Sequence, residues 1–280
     1  MSSSTPRSLL YCSALYPGQY CKRGLSDVMV LDMEDGVPLG RKAEARENLE
    51  RFFAEQPSVS TAVRINSLRN NEGLRDLLLL KRLEHQPQQV VMTMLECASE
   101  IDVVRANVAR EEGISPLVLV TVETPLCIRD IHAVAHRADG LIFGSADYAA
   151  SMGVDIGGWE NMLHARSCIV AAAAAASIPA FDTAYFHLDD EPGLLWESSA
   201  VRGLGFSGKT AIHPRQVATI NQVFSPSPEE IQRAREIIEA SRSNGDKITR
   251  LNARMIGPPF VKQSTKVMQR AQELGLFGVW

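Results

Sequence analysis

The 280-residue chain has no CxxC pair, no long Lys/Arg cluster and no GxGxxG after its first apolar run. Its longest purely apolar stretches, such as Ile169 to Ala176, fall far short of the roughly 20 residues that span a bilayer. Each absence excludes a class. Without a bilayer-length run there is no membrane-spanning helix, and without an apolar segment behind Met1–Arg7 no secretory signal is expected. Without a basic patch, and with 29 Lys and Arg against 33 Asp and Glu for a net charge of −4, nucleic acid is excluded as a partner. The five cysteines, Cys12, Cys21, Cys97, Cys127 and Cys168, are odd in number. Their spacing suits neither a disulfide frame nor a zinc site, so they read as free thiols in the reducing cytoplasm.

What is present is an alternation. Short, near-continuous apolar runs recur at Ser8–Cys12, Asp27–Asp32, Thr61–Ile65, Gln89–Leu95, Pro116–Val122, Gly140–Phe143, Ile178–Phe181 and Gly208–Ile212. Runs without strict alternation suit parallel strands buried on both faces. Amphipathic helical segments lie between them, among them Arg41–Phe53, Gly73–Glu84, Ser99–Glu111 and Trp159–Ala176. Eight strands alternating with helices predict an α/β chain folded as a (β/α)8 TIM barrel over residues 1–224, with a doubly wound open sheet as the alternative. Ser225–Pro228 breaks the pattern. Ser227 as N-cap, Pro228 at the first helical position and Glu230 three residues on predict a capped helix to about Ser241. A turn at Ser243–Asp246 and a helix over about Pro259–Leu274 complete a C-terminal helical extension, residues 225–280. This tail is too small for its own core and is expected to pack on the barrel or on a neighbouring subunit.

In such a barrel, side chains at the carboxyl ends of the strands converge on one mouth. Asp32, Glu34 and Asp35 follow strand two, Arg64 ends strand three, and Glu96 lies near the end of strand four. Glu123 follows strand five, Asp147 strand six, Asp182 ends strand seven and His213 follows strand eight. Packing alone would not choose so many acids around one Arg, because close carboxylates repel unless a cation lies among them. Hard oxygen donors favour Mg²⁺. Glu123 and Asp147, on adjacent strands, are the candidate ligands; Asp32, Glu34 and Asp35 would order water on the ion and orient Arg64.

Plainer readings stand beside these. Glu123 before Thr-Pro suits a loop cap, Asp147 a helix N-cap, and Arg64 a salt bridge inside the mouth. Against the last, a buried Arg needs an anion, and a carboxylate matches its fork. Glu96 and Asp182 read as structural, and His213 as a hydrogen-bonded core histidine. His132 and His136 read as a solvated helix face, Tyr148 and Trp159 as packing. Lys209 is a weak Schiff-base candidate, since it starts its strand far from the mouth.

Taken together the motifs resemble a family. Leu31-Asp32-Met33-Glu34-Asp35-Gly36-Val37-Pro38 followed by Arg41–Arg46, then Val63–Asn66, Glu123-Thr124-Pro125, Phe143–Asp147 and Ala211–Gln216, stand in the order of the citrate lyase beta-subunit-like group of the HpcH/HpaI aldolase superfamily. The resemblance runs from about Arg7 to Phe224. It implies a (β/α)8 barrel that assembles as a homotrimer, Mg²⁺ held by Glu123 and Asp147, and Arg64 gripping the carboxylate of an α-keto acid or its parent hydroxy acid. It also implies a coenzyme A thioester substrate, with Arg41, Lys42 or Arg46 near the coenzyme phosphates. The expected reaction is Mg²⁺-dependent retro-Claisen cleavage of a 3-hydroxyacyl-CoA, with citramalyl-CoA giving acetyl-CoA and pyruvate as the specific expectation. Glu34, directly or through water, is the candidate base.

The chain departs from the family at several places. Ser13-Ala14 replaces a Pro-Gly, Thr93-Met94 replaces a Pro-Lys, and Cys127 stands where Gly is usual. Gly257 occupies the place of a tail aspartate that acts as acid/base in related lyases, so that role is not carried over. A malyl-CoA lyase, a thioester hydrolase, a malate-synthase-like enzyme and a subunit needing a carrier-protein thioester are the competing expectations.

Overall fold

β-branched and apolar residues concentrate in short segments, and in the computed structural model eight of these pair edge to edge. The structure describes residues 5–22, 24–56, 60–110, 115–245, 248–251 and 254–276. These residues fall into two compact units, one of Pro6–Asn221 and one from Gln222 onward that also takes in Thr5. The division falls within a single helix, a few residues before the expected position at 224/225.

The first unit is a closed barrel of parallel strands in sequence order: β1 (Ser8–Ser13), β2 (Val28–Asp32), β3 (Thr61–Arg64), β4 (Gln89–Met92), β5 (Leu117–Val122), β6 (Gly140–Phe143), β7 (Ala180–Asp182) and β8 (Gly208–Ala211). β8 closes on β1 with Leu9 opposite Thr210. The helices between them are α1 (Lys42–Glu55), α2 (Asn71–Arg82), α3 (Ser99–Val108), α4 (Pro125–Arg129), α5 (Ile131–Ala135), α6 (Ser145–Met152), α7 (Trp159–Ala176), α8 (Glu191–Leu204) and α9 (Arg215–Val223). The open-sheet alternative is excluded by the closure.

The barrel interior is filled by Leu9, Val28, Val30, Ala62, Val91, Leu119, Ile142 and Phe181, all buried. Side chains alternate along a strand, so positions two residues further on return to the interior. From Val30 that position is Asp32, from Ala62 it is Arg64, and from Leu119 it is Thr121 and then Glu123. The interior therefore changes from apolar to charged toward the carboxyl ends.

Strand four is shorter than its apolar run, stopping at Met92 where the run continues to Leu95. Met94 takes a left-handed backbone (φ 51°), which cannot continue a strand. α7 matches its predicted span, and α1 to α3 lie within a few residues of theirs.

In the second unit, α10 (Pro228–Ser243) begins with the predicted capping box: Ser227 Oγ accepts from Glu230 N–H, and Glu230 Oε2 accepts from Ser227 N–H at 2.8 Å. α10 packs against α11 (Pro258–Glu273), with Ile231, Ala234 and Ala271 buried. A short antiparallel pair, β9 (Thr249–Leu251) and β10 (Arg254–Ile256), precedes α11 and was not visible in the pattern. The turn predicted at Ser243–Asp246 is described as far as Gly245, whose φ is 63°.

Candidate active site at the barrel mouth

Asp32 is the last residue of β2 and 5% exposed. Arg64 donates to it twice, Nε to Oδ1 at 2.7 Å and Nη2 to Oδ2 at 2.6 Å. Its two oxygens also accept the backbone N–H groups of Glu34 (2.8 Å) and Gly36 (2.9 Å). A Cβ on residue 36 would stand 2.6 Å from Oδ2, so the turn requires glycine. With two donors on each oxygen, Asp32 anchors Arg64 and the acidic loop and has little capacity left for an ion. Ser13 adds a second tie, donating from Oγ to Gly36 O at 2.6 Å.

Arg64 is the cation of the mouth. Its Nη1 lies 2.8 Å from Glu34 Oε2 and 3.9 Å from Asp35 Oδ2. The Glu34 contact is an ion pair without hydrogen-bond alignment, since Oε2 makes no hydrogen bond. Two of the five guanidinium N–H groups are used on Asp32; of the rest, those of Nη1 face Glu34 and an entering anion would share them. Cζ stacks 5.0 Å from the centroid of the Tyr11 ring. The guanidinium is turned into the mouth, with 13% side-chain exposure.

Across the mouth, Glu123 follows β5 and is 2% exposed. Burial pushes its carboxyl up to about 8; the Met94 N–H opposes this, and the charges of Glu34 and Asp147 add to it. Met94 N–H donates to Oε1, while Oε2 has no protein hydrogen bond among the described residues. Gly144 makes room for this carboxylate, because a Cβ there would lie 2.8 Å from Oε2. Asp147 sits in the first turn of α6. Burial raises its carboxyl and Asp35 raises it further, against Arg64. Glu123 does cap a loop, the one after β4, through Met94 N–H, whereas Asp147 is not the N-cap of its helix. The cap of α4 is Thr124, which accepts Cys127 N–H, and the N-cap position of α6 is Gly144.

Glu34 is pushed up to about 7, first by burial, with Arg64 opposing and Asp35 and Asp32 adding. Three carboxyls thus stand above their ordinary values in one mouth. Beneath Glu123 on the same strand face, the buried Thr121 Oγ1 has no hydrogen-bond partner. No group of three or more His, Cys, Asp or Glu gathers as a closed metal cage among the described residues. The arrangement suits a hard divalent ion held by two carboxylates, with water and ligand oxygens completing its shell.

The predicted coenzyme cations are already engaged. Lys42 Nζ donates to the carbonyls of Met33 (2.8 Å) and Glu34 (2.7 Å). Arg46 pairs with Glu72 and with buried Asp76. Arg41 pairs with Glu44 on the surface, with 47% of its side chain exposed. A cleft of about 530 Å³ opens at the acidic loop after β2, lined by residues that include Glu34, Asp35, Lys42, Asn66 and Glu72.

Other candidates lie away from the mouth or serve structure. Glu96 pairs with Arg69. Lys209 is fully buried between barrel and helices, bound to Asp182 at 2.6 Å and Glu197 at 2.7 Å. His213 is half-buried and accepts Arg215 N–H at 3.2 Å. Trp159 stacks on Arg166 at 4.5 Å and Tyr148 on Phe143, so both pack. Sequence reasoning missed Tyr11, Met94 and Gly144. The inward parity of β1 points to Tyr11; nothing in the sequence announces the left-handed turn at Met94.

A closed parallel barrel with carboxylates and a guanidinium at its carboxyl end places the protein among the TIM barrels whose mouth carries both charges. The particular family is identified by comparison. Residues 19–214 match the family model of HpcH/HpaI aldolase/citrate lyase, and residues 159–279 match that of a C-C bond lyase of the TIM-barrel fold. Citrate lyase subunit beta of Escherichia coli K12 is 30% identical over 90% of this chain and 87% of its own. Mitochondrial citramalyl-CoA lyase of Mus musculus is 30% identical over 89% of this chain and 80% of its own. CitE of Mycobacterium tuberculosis, solved with magnesium, acetoacetate and coenzyme A, superimposes with a TM-score of 0.83 at 26% identity, covering 97% of this chain and 100% of that one. The chain belongs to the HpcH/HpaI aldolase/citrate lyase family and is a carbon–carbon lyase. No helix among the described residues is long and apolar enough to cross a membrane.

Proposed function

We propose that this protein is a Mg²⁺-dependent lyase that cleaves a 3-hydroxyacyl-CoA, with citramalyl-CoA, giving acetyl-CoA and pyruvate, as the specific substrate. The observation that carries the reading is the crowding of carboxyls opposite Arg64, which a cation held by Glu123 and Asp147 would relieve. Mg²⁺ held there supplies Lewis-acid polarisation of the oxygen at the carbon whose bond breaks.

The chain's own groups do the rest. The N–H groups of Arg64 not used on Asp32 hold the substrate carboxylate, and Asp32 fixes the guanidinium so that little orientation is lost on binding. Glu34, held near neutral, takes the proton of the 3-hydroxyl. The C–O bond becomes a carbonyl, the C2–C3 electron pair passes into the thioester as an enolate, and the enolate carbon takes up a proton. The products are a keto acid and acetyl-CoA, with the hydroxyl proton balanced by the new methyl C–H. The cleft lined by Glu34 and Asp35 gives the thioester arm an exit. Its acidic rim disfavours phosphates, and among Arg41, Lys42 and Arg46 the exposed Arg41 is the one free to leave its partner for them.

The free thiols among the described residues suit a cytoplasmic enzyme, and a homotrimer is what the resemblance implies. The test is a side-by-side assay of citramalyl-, malyl- and citryl-CoA with Mg²⁺. Pyruvate and acetyl-CoA from citramalyl-CoA support the reading. Free hydroxy acid and coenzyme A would make the protein a hydrolase, and activity only with an acyl-carrier-protein thioester would make it a subunit of a larger lyase.

A further inference from the structure

Tyr11 has so far served only as the ring on which Arg64 stacks, yet it lies in the same mouth. It belongs to the inward face of β1, half-buried against the core, with the Arg64 guanidinium stacked on its ring. The ring is thus fixed from below by the core and from above by Arg64, and it carries its hydroxyl among the charged groups. That hydroxyl makes no hydrogen bond with the protein among the described residues, and it is not among the sealed, unsatisfied polar atoms, so it reaches open space. Asp32, the nearest acceptor in register terms, already has two donors on each oxygen.

A half-buried phenol beside acids serves them and their ligands as a donor, since a carboxylate only accepts. Burial raises its pKa, Arg64 opposes this, and the charges of Asp32, Glu123 and Glu34 raise it further, so the group stays protonated. A neutral, protonated phenol is a donor, and a rigid one, since only its O–H rotates. A lysine at this position would collapse onto the acids; a phenol leaves them to Arg64. A small organic anion entering this mouth meets a net negative wall and needs every donor present.

We infer that the Tyr11 hydroxyl is a second donor, beside Arg64, for the carboxylate of the keto acid held in the mouth. The inference rests on the lyase reading above, and it makes Tyr11 a substrate-binding residue. No proton changes hands; Tyr11 orients the anion and helps distinguish a carboxylate from a neutral group of the same shape.

The test compares the Mg²⁺-loaded wild type with Tyr11→Phe, which keeps the ring under Arg64 and removes only the hydroxyl. Calorimetric titration with pyruvate, glyoxylate and oxaloacetate, and with neutral pyruvamide, gives the readout. A hydrogen bond to a charged group corresponds to a loss of roughly 10-fold or more in keto-acid affinity. Pyruvamide affinity should change far less, so the preference for pyruvate over pyruvamide narrows. Mg²⁺ affinity and Tm should stay at wild-type values. Wild-type keto-acid affinity in Tyr11→Phe would overturn the inference while leaving the lyase reading intact. An equal loss for Mg²⁺ and keto acid would also overturn it, since the hydroxyl would then serve the ion's pocket. A wild type that binds none of the three keto acids would overturn the lyase reading and this inference together.

Discussion

Two buried charge clusters share the barrel wall, one outside and one inside. Outside, Arg166 from α7, Glu197 from α8, Asp182 and Lys209 put two cations against two anions. Burial alone would raise the Asp182 carboxyl, but Lys209 and Arg166 overcome it and hold the group below its ordinary range. Inside the mouth, Arg64, with buried Lys42 behind the acidic loop, faces Asp32, Glu34, Glu123, half-buried Asp147 and exposed Asp35, and Glu34 and Glu123 are pushed up to about 7 and about 8. The balanced cluster is complete as it stands. The unbalanced one is organised for a charge the chain does not itself supply. Burial is common to both, so the count of opposite charges separates structure from function here.

The difference is broken most severely at Glu123. Glu123→Gln should keep the fold and lower Mg²⁺-dependent cleavage on the order of 1,000-fold or more, because several kcal/mol of transition-state stabilisation disappear at tenfold per 1.4 kcal/mol. Turnover within a few-fold of wild type would reject the ligand assignment. Outside the barrel, Lys209→Met leaves Asp182 and Glu197 short of a partner. A stability loss of about 3–5 kcal/mol in urea denaturation is expected, with Mg²⁺ affinity untouched. An unfolding midpoint equal to wild type would show that this cluster does not carry the wall.

Proton linkage sharpens the contrast, because the two clusters respond to pH with opposite sign. Glu123 is raised from 4.5 to about 8, so metal-free protein should lose stability as pH climbs through that window. Added Mg²⁺ should restore Tm most at the upper end, and Glu123→Gln should flatten the slope. Asp182 is lowered, so its stabilisation should be lost only as pH falls through the carboxylate range. A metal-free Tm that rises from pH 5 to pH 8 would contradict the burial of Glu123. The smallest effect is expected at Met94. Met94→Gly removes the left-handed strain but loosens the unfolded chain, and stability should move by no more than about 1 kcal/mol. A larger drop in thermal denaturation would mean that the side chain itself supports the loop.

The barrel was legible in the sequence because buried parallel strands leave apolar runs that survive reading one residue at a time. The mouth was legible to the extent that strand parity carries side chains inward: Asp32, Arg64 and Glu123 follow by counting from apolar neighbours. What lay hidden depends on φ, on packing or on space. The early end of strand four comes from one left-handed residue, and the room for Glu123 from the missing Cβ of Gly144. The engagement of Arg46 with Asp76 joins residues 30 apart through tertiary packing alone. The β9–β10 pair was missed because three-residue strands carry almost no period.

The central claim is tested most directly by locating a divalent ion in crystals grown with Mn²⁺, using its anomalous scattering. The account predicts a single strong peak in the mouth within coordination distance of one oxygen each from Glu123 and Asp147, and its loss in Glu123→Gln. A peak bound elsewhere, or one that persists in that variant, would contradict it.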